Sequence, residues 1–330
     1  MDSRLDRQYA PQRLFGIGRL LAMAMFMASC HTVTQQPSPP EYEFSDLTGN
    51  FTRFWDRTQA LNERERVAAF KEEFGAMLPD FYGPSHYEGL PPERRDARIQ
   101  RALEGFPSIR KKYTRIAASF QTMMAPAIAS FRRVFPDAQM TTPVYLLHSL
   151  GEMDGGTRTF GDRVVLVFGA DAMASVHDFE GEEPFLHHEL FHVYHQSYFP
   201  ECSQVWCYLW MEGLAVYASQ QLNPHASDSQ LLLTKPEPIR PQVEAHLNDA
   251  ICTVLAKLDS SEDQDISALF SFERLSPALP PRAGYYIGYL AARKLGATRP
   301  IIELARLSSE EVRSLLEQAL DELQKCEPSG

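Results

Sequence analysis

One short segment constrains this chain more than any other: His188-Glu189-Leu190-Phe191-His192, followed by Glu212 in Trp210-Met211-Glu212-Gly213. On a helix, residues four apart lie on one face, one turn above the other, so His188 and His192 can grip one metal ion from the same side. That requires an unbroken helix here. Pro184 to Ser197 contains no glycine and no internal proline, and Pro184 itself suits a first helical turn. Leu186, Leu190 and Val193 place an apolar stripe beside the histidines, and a second helical run, Val205 to Gln221, carries Glu212. Three protein ligands and an open fourth position form the pattern of a catalytic zinc, whereas structural zinc sites are closed by four ligands. Glu189, next to the first ligand, stands where a carboxylate can act as general base on a water beside the metal.

Other histidines compete for the place of third ligand. The extended pattern HExxHxxGxxH needs glycine and histidine where this chain has His195 and Tyr198, which excludes the metzincin arrangement. His195 shares the face of His188 and His192, but seven helical residues span about 10 Å, too far for all three to reach one ion. A supporting or surface role is expected for it. His187 points about 100° away from His188 and is not expected to bind. Glu212 remains.

On these residues the chain resembles the gluzincin metallopeptidases, whose third ligand is a glutamate on a following helix. The likeness rests on His188-Glu189-x-x-His192, on Glu212-Gly213-Leu214-Ala215-Val216-Tyr217, and on Gly284-Tyr285-Tyr286-Ile287-Gly288-Tyr289. More closely, the stretch from about Thr141 to Leu295 is similar to the family of predicted zinc-dependent proteases found in bacterial lipoproteins. The resemblance implies one Zn2+ per chain on His188, His192 and Glu212, with Glu189 as catalytic base and a peptide or protein as substrate. It implies that Tyr285, which fits a Tyr-x-x-Gly segment, or its neighbour Tyr286 gives a hydroxyl to the oxyanion. It also suggests a small sheet whose edge strand holds an extended peptide backbone. The Gly-x-Met-x-Asn segment of gluzincin aminopeptidases is missing, so recognition of a free amine is not implied.

The rest of the chain suits that reading. Pro143 to Leu147 and Val164 to Phe168 are short apolar runs that read as strands, with Gly155-Gly156-Thr157 in a turn-rich segment between them. Phe51 to Phe81 and Ser108 to Phe135 show helical periodicity, broken between by Gly83-Pro84 and Pro91-Pro92. Helices are expected again at Tyr285 to Leu295 and Ile301 to Leu323. The expected class is α+β, dominated by helix, with a small sheet packed beside the zinc-motif helix and the glutamate-bearing helix. Residues 46–140 would form a helical N-terminal region, and 141–330 a gluzincin-like domain.

The ends of the sequence bear on location. Arg4, Arg7, Arg13 and Arg19 precede a short apolar run, Leu20 to Ala28, too short to span a bilayer but suited to a signal-peptide core. Met27-Ala28-Ser29-Cys30 resembles a bacterial lipobox, so residues 1–29 are expected to be a leader, with Cys30 lipidated. Residues 30–45, rich in proline, would be a solvated tether. The expected location is a bacterial cell envelope, with a membrane held through the N-terminal lipid. Cys202, Cys207, Cys252 and Cys326 remain, an even number in a compartment where disulfides persist. Three pairings are possible. Cys202 with Cys207 would brace the loop between the two motif helices and leave Cys252 with Cys326. The formal charge of −11 disfavours a nucleic-acid partner, which needs a basic footprint. The basic residues at Arg94 to Arg101 and Arg110 to Arg115 read as solvated helix faces. Oligomeric state is not fixed by the sequence. A non-catalytic zinc-containing envelope lipoprotein, or a zinc hydrolase of a non-peptide amide or ester, would share every ligand, although the former has no need of Glu189.

Overall fold

The computed structural model describes residues 42–177, 181–200, 202–324 and 326, so the leader and Cys30 lie outside the described residues. Helix takes 61% of the described residues and strand 7%, which makes the class α+β with helix dominant. Among the described residues, no helix is long and apolar enough to cross a membrane.

The N-terminal part is helical for reasons visible in its residues. A short strand β1 (Phe44–Asp46), which takes in the last residues of the segment read as a tether, leads into α1 (Thr48–Arg57) and α2 (Glu63–Met77). Asn62 starts α2 with a capping box: its side chain accepts from the Glu65 amide, and the Glu65 carboxylate accepts from the Asn62 amide. After α3 (Pro79–Tyr82) and a tight 3-10 turn at Pro84–Tyr87 comes α4 (Pro92–Val134), 43 residues long. Helical periodicity in the sequence resumes at Ser108, and Arg94 to Arg101 reads as a charged helix face; the structure makes both parts of one helix. Pro107 and Pro126 lie inside α4 instead of ending it. Each removes one main-chain hydrogen bond, and the buried Phe106, Tyr113, Phe120 and Phe131 hold the helix across both interruptions. Phe51, Phe54, Phe70, Phe74 and Phe106 make a dense aromatic core between these helices. Each such side chain contributes roughly 1.5–3 kcal/mol by burial.

Strands β2 (Val144–Leu147), β3 (Gly155–Phe160) and β4 (Arg163–Gly169) complete one sheet, in the order β1-β2-β4-β3. The first three in that order are parallel, and β3 pairs antiparallel with β4 at the edge, from Gly155↔Phe168 to Phe160↔Arg163. Thus Gly155-Gly156-Thr157, read as part of a turn, is strand. The turn is made by Gly161, whose φ of +60° suits glycine.

The second half is built around two helices buried on nearly every side. After α5 (Ala170–Val176) comes α6 (Glu183–His195), with Pro184 in its first turn, and then α7 (Val205–Leu222). The chain continues through α8 (Ile239–Ala245), α9 (Leu247–Leu255), α10 (Asp263–Phe270) and α11 (Ala283–Gly296), and ends in α12 (Ile301–Leu304) and α13 (Ser309–Leu323). Helix α7 packs against both α6 and α11. On one side the Ser219 hydroxyl donates to the Pro184 carbonyl at 2.6 Å. On the other, Gly213 meets Gly288: a Cβ on Gly288 would lie 2.1 Å from the Leu209 carbonyl oxygen, so only glycine permits this approach. The cysteines pair as Cys202–Cys207 and Cys252–Cys326, with Cα atoms 6.1 and 5.5 Å apart, within the normal range for disulfides. The first bridge fastens the loop after α6 to the first turn of α7, and the second ties α9 to the end of the chain.

Candidate metal centre

Helix α6 supplies His188 and His192 one turn apart, and α7 brings Glu212 across to them. The two Nε2 atoms lie 3.0 Å apart, and Glu212 Oε2 is 3.4 Å from each. Donors held about 2.0–2.1 Å from one tetrahedral ion are separated by roughly 3.3 Å, so the triangle has the right size for a small divalent cation. Among the described residues, these three are the group of His, Cys, Asp and Glu side chains close enough to share an ion. They open on a cavity of about 310 Å³. Burial and the neighbouring His192 together depress the His188 pKa, with Glu212 opposing. For His192 burial works downward too, but Glu212 wins and raises it to about 9. Glu212 is held well below the usual carboxylate range, because His192 and His188 outweigh the burial that would raise it.

Glu189 reaches the same cavity from the next position on α6. Burial pushes its carboxyl up to about 8, and Oε2 has no hydrogen-bond partner among the described residues. Edge strand β3 covers it. A Cβ on Gly155 would lie 2.7 Å from Glu189 Cδ, so the start of β3 must be glycine for the carboxylate to keep its place. Behind that glycine, Asp154 Oδ2 is 3.1 Å from His177 Nε2, and His177 Nδ1 is 2.6 Å from Glu182 Oε2. This Asp154–His177–Glu182 chain, buried at His177 and Glu182, anchors the strand beside Glu189. No sequence pattern marks it, since the three residues share no periodicity.

The tyrosines separate by helix phase. Tyr285 stands three residues before Gly288, hence on the α11 face that meets α7, and it lines the cavity with its ring 6.4 Å from that of His188. Tyr286 is turned away: its hydroxyl donates to Glu244, and the Arg240 guanidinium sits 4.9 Å over its ring. The sequence reading kept both; the structure brings only Tyr285 to the site. His187 also leaves the site, hydrogen-bonded to Ser130 at 2.7 Å and Asn223 at 2.8 Å. His195 is neither a ligand in the triangle nor a surface residue. It lines the cavity, stacked between Phe191 and Phe199, and its Nε2 has no partner among the described residues. Arg282, just before α11, was not singled out by the sequence, yet it lines the cavity as well.

Comparisons with protein-family models, with curated proteins and with solved structures give no match for this chain. What the site does must therefore be argued from its own residues.

Proposed function

We propose that this protein is a zinc-dependent hydrolase of peptide bonds, exported and held to a bacterial envelope membrane by lipid on Cys30. The observation that carries the reading is the set His188, His192 and Glu212, whose donors form a triangle of ion-sized edges with Glu189 at its side. A zinc ion on these residues would supply Lewis acidity, polarising a carbonyl and acidifying a nearby water. Glu189 would take the proton of the attacking water and pass it to the leaving amine. Its unpartnered oxygen and its place on the cavity wall suit that task. Tyr285 would donate its hydroxyl to the oxyanion of the tetrahedral intermediate, a contact worth roughly 3–4 kcal/mol of barrier. Burial, with Glu212 adding to it, raises the Tyr285 pKa, so the hydroxyl keeps the proton it must donate. The β3 segment from Gly155 to Arg158 lines the same cavity and, as a sheet edge, would pair with an extended peptide backbone.

The two cysteine pairs suit an oxidising compartment, which supports export. The test is an unbiased peptide-library digest by wild type and Glu189→Gln side by side. Wild type is expected to cut and the variant to lose at least about a thousand-fold in rate, while both hold zinc. Undiminished cleavage by Glu189→Gln would remove the assignment.

A further inference from the structure

Arg282 stands out beside Arg158, the other arginine on the metal-cavity lining, which pairs with Glu152. Arg282 pairs with no carboxylate among the described residues. Its Nη1 donates to the carbonyls of Leu232 and Lys235, both at 3.1 Å, and its guanidinium lies 4.4 Å over the Tyr285 ring. The backbone there is left-handed, with φ of +62°, a conformation costly for a side chain with a Cβ and maintained by its surroundings. The two main-chain carbonyls take Nη1 and leave the Nε and Nη2 donors of the fork unused by them.

Its position gives that fork a purpose. Beside the metal cavity lies a second one, of about 420 Å³, and Asp154, Leu232, Arg282 and Tyr285 line both. The walls of the second cavity are more apolar, with Met153, Val176, Leu232 and Phe270 on them. Phe272 belongs to the same lining, yet it is 71% exposed, the most exposed large apolar side chain among the described residues. A guanidinium at the junction of a metal cavity and an apolar cavity suits a ligand that presents a carboxylate next to an apolar group.

Resting on the hydrolase reading above, we propose that Arg282 receives a carboxylate of the bound peptide while a neighbouring apolar side chain fills the second cavity. A C-terminus and an aspartate or glutamate side chain both present such a carboxylate, and the test separates them. A charge-assisted contact of this kind separates an acid from its amide by roughly ten- to a hundred-fold in affinity.

The test uses binding, so it does not depend on turnover. Calorimetric titration of the zinc-loaded full chain would compare acetyl-Ala-Phe-Leu as free acid and as amide, together with acetyl-Ala-Phe-Asp amide. The free acid is expected to bind at least about ten-fold tighter than its amide, and Arg282→Met to bring that ratio close to one. Tight binding of the Asp-containing amide would assign the site to acidic side chains as well, and weak binding would assign it to the C-terminus. Phe272→Ser, a change at an exposed position, is expected to weaken all three peptides and leave the acid-to-amide ratio intact. Equal affinity for acid and amide in wild type, or a preference that survives Arg282→Met, overturns the proposal. If those equal affinities accompany cleavage that stops in Glu189→Gln, the carboxylate site alone is lost and the hydrolase reading stands.

Discussion

Of the places where this molecule buries histidine beside carboxylate, two make a direct contrast, and only one of these two resembles a reactive site. In the N-terminal half, His148 Nδ1 lies 3.3 Å from Asp171 Oδ2, with side chains 2% and 5% exposed. The His148 ring stacks on Phe51 at 3.6 Å, and Asp171 accepts from the amides of Ser149 and Gly151 at 2.5 and 2.7 Å. The carboxylate is thereby committed to clamping a turn that contains the left-handed Leu150 and Gly151. At the candidate metal centre, His192 and Glu212 keep 22% and 21% of their side chains exposed, and their donor atoms converge on a cavity. The chemical groups are the same. What separates them is whether the polar atoms are used up by main chain or point together into open space.

That contrast can be broken in order of expected effect. Asp171→Ala leaves the buried Ser149 amide and the Gly151 amide without their acceptor and is expected to cost roughly 3 kcal/mol of stability, read by denaturant unfolding. Glu212→Ala in metal-free protein should cost less than about 1 kcal/mol, because water in the cavity can replace the carboxylate. Equal losses would mean that both sites are structural. Gly155→Ala drives a methyl group into Glu189 and should lower the rate of peptide cleavage about ten- to a hundred-fold with zinc retained. An unchanged rate would mean that the carboxylate does not need its present position.

The smallest effect belongs to His177. Burial would lower its pKa, but Asp154 and Glu182 outweigh it and raise the value to about 9. A group whose folded pKa exceeds the unfolded value near 6.5 stabilises fully below that value, and the contribution is lost as pH rises through about 9. Thermal unfolding should therefore show a fall in Tm between pH 7 and 10 that is reduced in His177→Gln. The same slope in the variant would show that Asp154 and Glu182 do not depend on a charged partner.

Much of the centre was legible because its geometry is local. Four-residue spacing on an uninterrupted helix is enough to put His188 and His192 together, and Glu212 follows on the next helix. The Cys202–Cys207 pair could be chosen because both residues flank one loop. The parts that escaped depend on distant packing. Strand β3 looked like turn because glycine is a poor strand former, and only its ladder with β4 and its contact with Glu189 explain Gly155. Tyr285 and Tyr286 differ by one helical step, so telling them apart requires knowing that Gly288 faces α7. Helix α4 joins the charged stretch Arg94 to Arg101 and the periodic stretch from Ser108 through Pro107, because burial of the aromatic residues on both sides sustains it. Arg282 and the Asp154–His177–Glu182 chain have no motif at all; their roles come from segments brought together by the fold.

The most direct measurement is the zinc content per chain of wild type, Glu189→Gln and Glu212→Gln, each loaded with excess zinc and dialysed. About one ion in the first two and almost none in the third is the expected result, since loss of a ligand should weaken binding at least a hundred-fold, and Glu189 stands outside the group His188, His192 and Glu212. Zinc retained at full stoichiometry in Glu212→Gln, or none held by wild type, would contradict the account.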